Sequence, residues 1–296
     1  MFALSGHPLL ASIGRGLPAQ VGELESRHFP DGESYLRIDT AVQGRHCILL
    51  ADLSRPDAKF LPLVFLASTL RELGAASVGL LAPYLSYMRQ DIRFARGEAL
   101  TSRIFAGLLS QQVDWLLTMD PHLHRYHALD EIYAIPTRVV SGMPALAAWL
   151  QTRKHLLLVG PDAESAQWLE KLAACSAHPF VVGEKKRRGD YDVEVSLPDL
   201  SCYRDRAAVI VDDVIASGHT LVKCMEALQK EGIDDISCAA VHGIFTGNAA
   251  LLLQQKGLRQ LVTTNTVVHP SNGIDVAELL LPALRECLQT VMAEPE

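Results

Sequence analysis

The segment VIVDDVIASGHTL, Val209 to Leu221, limits what this chain can fold into more than any other stretch. Val209, Ile210 and Val211 lead into two acids, Asp212 and Asp213, with Val214 and Ile215 beyond. An apolar run of this kind reads as a buried strand reaching its end. A turn of small residues follows, Ala216-Ser217-Gly218, and a helix is expected from near His219 and Thr220. Its support is Leu221, Cys224, Met225 and Leu228 at helical spacing, with Gly232 as the stop. Strand, tight turn and helix N-terminus together make an anion site, because free backbone N–H groups and the positive end of the helix dipole converge on the turn. Ser217 and Thr220 add hydroxyl donors, and the paired acids stand where a ribose diol or a metal can be held above a phosphate. Asp-Asp after a strand can also be a solvated turn. Its coupling to a small-residue phosphate turn favours a binding site.

A chain of 296 residues fits two domains of roughly 100–200 residues each. The net charge of −7 argues against nucleic acid as a partner, which needs a basic surface. An anionic substrate must then meet a local cluster of cations or a metal. Cys47, Cys175, Cys202, Cys224, Cys238 and Cys287 have neither metal nor redox spacing, which points to reduced thiols in a cytoplasmic protein. There is no basic, then apolar leader and no run near ~20 apolar residues, so no membrane partner is expected.

Along the chain, apolar strands alternate with helical patterns, as in βαβ units around a parallel sheet. HFPDGESYLRI carries a hairpin signal at Asp31-Gly32, with Phe29, Asp31 and Glu33 around it. Strands are expected over His46 to Leu50 and Ser77 to Ala82, flanking a helix with Leu63, Leu66, Ala67, Leu70 and Leu73 on one face and Pro62 near its first turn. Ser77 to Ala82 opens onto APYLSYMRQDIRFARGEALTS, a long loop with Arg89, Gln90, Asp91, Arg93 and Arg96. A strand's carboxyl end is where α/β sheets bind ligands, and guanidinium forks suit phosphate oxygens. The strand Val113 to Met119 ends in Asp120-Pro121-His122-Leu123-His124, and His127 follows. No second His/Cys cluster supplies the rest of a zinc site. One histidine with an acid from elsewhere, on magnesium with a nucleotide, fits better, and His122 is the candidate, leaving His124 and His127 as surface residues.

Pro136 to Gly142 reads as the crossing into a second domain. There the strand His155 to Val159 ends in Gly160-Pro161-Asp162, before a helix from about Ala163 to Ala174. Lys185, Lys186, Arg187 and Arg188 then form a run of cations between the two acid sites. Such runs are usually solvated, but here an anion-handling lid is the better reading. A final helix is expected from Ala277 to Met292. The domains are therefore read as 1–140 and 141–296.

The ordered set FPDGE, APYLSYMRQD, TMDPH, GPDAES, EKKRR and VDDVIASGHT resembles the ribose-phosphate diphosphokinases (PRPP synthetases) along nearly the whole chain. Type I phosphoribosyltransferases share only the last motif. The resemblance implies an α/β fold with two phosphoribosyltransferase-like domains, each a parallel-rich sheet flanked by helices. It implies that Phe29, Asp31 and Glu33 contact adenine, in that family from a neighbouring subunit. Arg89 and Gln90 are then ATP contacts, with Asp91 in the same ATP-binding loop. His122 and Asp162 bind Mg2+, and Lys185 and Arg187 lie on a mobile catalytic loop, with Lys186 an open alternative to Lys185. Asp212 and Asp213 hold the ribose hydroxyls, while Ala216, Ser217, Gly218, His219 and Thr220 cradle the 5-phosphate of ribose 5-phosphate. Ala216 stands where many members carry an acid, His219 where small residues are common, and Pro121 where an aliphatic residue is usual. The implied assembly is a homo-oligomer, a dimer or a multiple of dimers. The expected activity is diphosphoryl transfer from ATP to ribose 5-phosphate. A catalytically silent regulatory subunit and a phosphoribosyltransferase are the alternatives.

Overall fold

The computed structural model describes residues 1–123, 125–187 and 193–293, and all of their side chains except those of Glu164, Lys186, Arg187 and Val193. His124 and Arg188 lie outside the described residues. The chain forms two compact units, one of Met1–Ser141 with Val276–Glu296, the other of Gly142–Asp275.

The first unit is built on β1 (Phe2–Ala3), α1 (Pro8–Gly16), the hairpin β2 (Leu24–His28) and β3 (Ser34–Ile38), β4 (His46–Leu50), α2 (Asp57–Glu72), β5 (Ser77–Ala82), α3 (Thr101–Ser110), β6 (Trp115–Met119) and β7 (Thr137–Val140). Five strands pair in the order β1-β4-β5-β6-β7, all parallel. Every residue of β5 and β6 is buried, as expected for strands covered on both faces. α2 buries Leu63, Leu66, Ala67 and Leu70, and each such leucine contributes about 1.5–3 kcal/mol of transfer free energy. Pro62 lies inside this helix rather than in its first turn, because the helix begins at Asp57. In β5 a Cβ on Gly79 would stand 1.8 Å from the Trp115 ring, so the indole of β6 occupies the space a side chain would need.

The second unit holds α4 (Met143–Gln151), β8 (Leu156–Gly160), α5 (Ala166–Ser176), β9 (Phe180–Val182), β10 (Glu184–Arg187), β11 (Val193–Ser196), β12 (Ala207–Ile215), α6 (His219–Lys230), β13 (Ile236–Gly243), α7 (Ala249–Gln255), β14 (Gln260–Thr264) and β15 (Asn272–Ile274). Six strands pair in the order β15-β14-β13-β12-β8-β9, again all parallel. β10 and β11 form a separate antiparallel ribbon.

Further expectations change. The segment Pro136 to Gly142 is not only a crossing, because β7 adds a strand to the first sheet through Leu116↔Thr137 to Met119↔Val140. The last helix, α8 (Ala277–Ala293), belongs to the first unit and not to a domain running 141–296. It buries Leu280, Leu281, Leu284 and Cys287, and Arg285 donates to the Gly16 carbonyl at the end of α1. Nor does β12 stop before its acids. It runs through Asp212 and Asp213 to Ile215. Among the described residues no helix is long and apolar enough to cross a membrane.

Candidate active site

The register of β12 creates the acidic site of the second unit. Pairing with β8 ends at Ile210↔Val159, whereas pairing with β13 continues to Ile215↔Gly243. Asp212 and Asp213 therefore lie on a stretch of strand that has outrun its neighbour β8. Both are half-buried, and the Asp213 N–H donates to Asp212 Oδ1 at 3.0 Å. Burial raises the Asp212 carboxyl well above its ordinary range, and the charges of Asp213 and Asp162 push it further. Burial also raises the Cys224 thiol, to about 12, with Asp212 adding to the effect. This thiol is not a nucleophile at neutral pH.

The turn beyond the acids is fixed by glycine. Gly218 has φ +76 and caps α6, a left-handed conformation that glycine adopts at no steric cost. A Cβ there would approach Ala249 at an ordinary 3.6 Å, so conformation and not space dictates the residue. The Ala216 carbonyl accepts from the Thr246 N–H at 3.0 Å, which ties the turn to the loop after β13. The N-cap residue Gly218 brings no side chain to cap α6, and exposed Ser217 and half-buried Thr220 flank a helix N-terminus of the kind that suits a phosphate. His219 is exposed at the first helical position.

Asp162 follows β8 and leads into a short 3-10 turn, Ala163–Ser165, so the helix expected from Ala163 begins as α5 at Ala166. Ser165 Oγ donates to the Asp162 carbonyl at 2.6 Å. Lys185, on β10, donates its Nζ to Asp162 Oδ2 at 3.1 Å, and both side chains are largely buried. The structure thus brings Asp162, Lys185, Asp212 and Asp213 into one electrostatic neighbourhood: three acids and one described cation. Arg187 closes the β10 ladder opposite Val193, and its side chain is not among those described.

In the first unit, Arg89 is exposed, Gln90 half-buried and Asp91 buried. Thr101 Oγ1 donates to Gln90 Oε1 at 3.2 Å, and the Ser102 N–H to the Gln90 carbonyl at 3.4 Å, so the start of α3 holds the loop. Glu98 accepts from the Phe94 and Ala95 N–H groups and closes the distal part on itself. His122 is half-buried and follows Asp120, whose φ is +33. His127 is exposed. At the hairpin tip, Asp31 Oδ1 accepts from the Glu33 N–H at 3.1 Å. Arg27 lies 4.8 Å from the Phe29 ring centre and 4.1 Å from that of Tyr35.

Two features escape a reading of the sequence. After β4, buried Asp52 accepts from Lys59 Nζ at 2.7 Å and from the Ser54 N–H at 3.2 Å. An acid at a strand end was the available signal, the same one that marks Asp162. The second is Arg125, which donates to Asp91 Oδ1 at 2.6 Å. No spacing rule links residues 34 apart in two loops.

The second unit's all-parallel sheet carries an acid pair on β12 and a glycine turn at the start of α6, and residues 128–276 match the family profile for the phosphoribosyl transferase domain. Residues 1–112 match the N-terminal domain of ribose phosphate pyrophosphokinase. A ribose-phosphate pyrophosphokinase of Methanopyrus kandleri is 31% identical over 269 residues, covering 90% of this chain and 91% of its own. That of Methanobrevibacter smithii is 29% identical over 291 residues, covering 94% and 97%. The crystal structure of phosphoribosylpyrophosphate synthetase from Mycobacterium smegmatis superposes with a TM-score of 0.82 at 23% identity, covering 98% of each chain. The chain belongs to the ribose-phosphate pyrophosphokinase family.

Proposed function

We propose that this protein is a ribose-phosphate diphosphokinase, moving the diphosphoryl group of ATP to the 1-hydroxyl of ribose 5-phosphate and yielding PRPP and AMP. The observation that carries the reading is the second unit's site: an anion turn at Ala216 to Thr220, two acids beside it, and Lys185 held on Asp162. A phosphoribosyl transferase domain alone would serve phosphoribosyltransferases as well. The match of residues 1–112 to the N-terminal domain of a pyrophosphokinase favours the kinase. A buried lysine at the acid cluster favours an active enzyme over a silent subunit.

Magnesium fits the donor set. Asp162 already faces a cation, and the repulsion among Asp162, Asp212 and Asp213 is of the kind a divalent cation relieves. Among the described residues no three His, Cys, Asp or Glu side chains group as a metal site. Mg2+ commonly keeps several waters and takes one or two carboxylates with substrate phosphates, which Asp162 can satisfy in the second unit; in the first unit His122 is the candidate Mg2+ ligand. When bound, the ion would neutralise charge on the phosphate oxygens. The protein's own residues then divide the work. The turn and Thr220 hold the sugar's 5-phosphate, and Asp212 and Asp213 accept from the ribose hydroxyls. Arg89, Gln90 and the ATP-binding loop of Asp91 serve the nucleotide, with Phe29, Asp31 and Glu33 at adenine. Lys185 and Arg187 offset charge on the transferred group.

Leu61 and Phe65 on α2, and Ile104 and Leu108 on α3, are exposed, which supports a homo-oligomer, a dimer or a multiple of dimers. The acidic composition supports no nucleic-acid partner, and six free thiols support a cytoplasmic setting. Phosphorus NMR of protein, ATP, Mg2+ and ribose 5-phosphate should show AMP and PRPP in equal amounts. In Lys185→Ala both should appear roughly 10²–10³ more slowly, the cost of losing a donor aimed at developing charge. ADP with ribose 1,5-bisphosphate would overturn the assignment.

A further inference from the structure

The carboxylate of Asp91 does not face the solvent that a nucleotide would come from. Its side chain is 2% exposed and its Oδ1 accepts from Arg125 Nη1 at 2.6 Å. Its other oxygen is buried with no hydrogen-bond partner among the described residues. Arg125 is half exposed and comes from the loop after β6, three residues beyond His122. The next residue, Tyr126, is buried. Its hydroxyl donates to the Asp91 carbonyl at 3.3 Å and lies 3.1 Å from Ser102 Oγ. The Arg125 guanidinium also stands 5.7 Å from the Phe94 ring centre. Arg125 and Tyr126 thus hold the arginine loop by its carboxylate, its backbone and a ring, immediately after the exposed Arg89 and half-buried Gln90.

We infer that Arg125 and Asp91 are positioning residues: their ion pair locks the arginine loop to the histidine loop, so that Arg89 and Gln90 are presented to the triphosphate of ATP from a fixed backbone. A desolvated carboxylate with one cationic partner is strongly dependent on that partner. Releasing it lets the loop sample other conformations, and ATP must then select the competent one, lowering its apparent affinity by the fraction that remains. Ribose 5-phosphate, read by the turn of the second unit, does not depend on this tie. The inference rests on the proposed placement of ATP.

The test measures KM for each substrate and the melting temperature in Arg125→Ala, Arg125→Lys, Asp91→Asn and the double variant Asp91→Asn/Arg125→Gln. Arg125→Ala should raise KM for ATP roughly tenfold, within the range set by hydrogen bonds to charged groups, and leave KM for ribose 5-phosphate within about twofold. Arg125→Lys keeps the charge without the planar fork and should recover part of the loss. Asp91→Asn should match Arg125→Ala, and the double variant should be no worse than either, as for two halves of one interaction. If Arg125→Ala does not fold, the lysine and double variants carry the same comparison. Equal loss for both substrates, or lower melting temperatures with both KM values unchanged, would reduce the pair to a packing role and overturn the inference. Arg89→Ala, run beside them, separates the two ideas. If it weakens ATP while the Arg125 variants do not, the tie is wrong and the nucleotide placement stands. If none weakens ATP, both fall.

Discussion

At Asp212, burial and two neighbouring carboxylates all act in one direction, favouring the protonated acid. An unfolded aspartate titrates near about 3.9. Above that pH the native carboxyl holds a proton that the unfolded chain has lost, so stability falls as pH rises toward the raised native value. Its contribution is intact only below the unfolded pKa. Asp212→Asn removes this dependence. Unliganded Asp212→Asn should therefore melt above the parent at about pH 8, with the gap closing as pH falls toward about 4. A gap of a few degrees is expected, since about 1 kcal/mol shifts the melting point of a domain this size by about 2–4 °C. Calorimetric melts at both pH values decide it, and a pH-independent gap would contradict an origin in the titration of this carboxyl. The same variant should bind ribose 5-phosphate poorly, which is how binding sites commonly trade stability for function. Much of this chemistry is legible in the sequence, because the acids, the turn and the helix start are contiguous from Val209 to Leu221. The Lys185–Asp162 and Arg125–Asp91 pairs are not, because each depends on how two loops pack.

Elements with a strong period can be read directly: α2 through Leu63, Leu66, Ala67 and Leu70, and β5 through its unbroken apolar run. β7 escapes notice because it is only four residues long, with Arg138 and Val139 exposed, so neither alternation nor an apolar run marks it. The β10–β11 ribbon escapes for a different reason: Glu184, Lys185, Lys186 and Arg187 read as a charged loop, and only cross-strand pairing makes them a strand. Gly79 shows how far neighbouring strands constrain one another. Glycine in a strand interior usually weakens it, but here it admits the indole of Trp115, which is 2% exposed. Gly79→Ala should destabilise the protein by about 1–3 kcal/mol, the usual cost of overpacking a full core. Gly79→Ala/Trp115→Phe, which makes room for the methyl group, should recover part of that loss in urea melts. No recovery would mean that the indole is not what excludes the side chain.

The two units differ in how the chain composes them. The second is continuous, Gly142–Asp275, with its own core of Leu157, Val159, Ile210, Leu221, Met225, Leu228, Ile236 and Leu253. Expressed alone as residues 142–275, it should melt cooperatively and give dispersed amide NMR spectra. A fragment that stays uncooperative would mean that it needs the first unit to fold. The first unit is discontinuous, because α8 packs against β6 and β7 of a sheet finished at Val140. During synthesis that sheet emerges first and remains uncovered on the α8 side while the whole second unit is made. At roughly 5–20 residues per second, the delay is on the order of ten seconds. Folding on the ribosome should therefore run against the order of translation, with the later-made unit complete while the earlier one still waits, its apolar face open to chaperones.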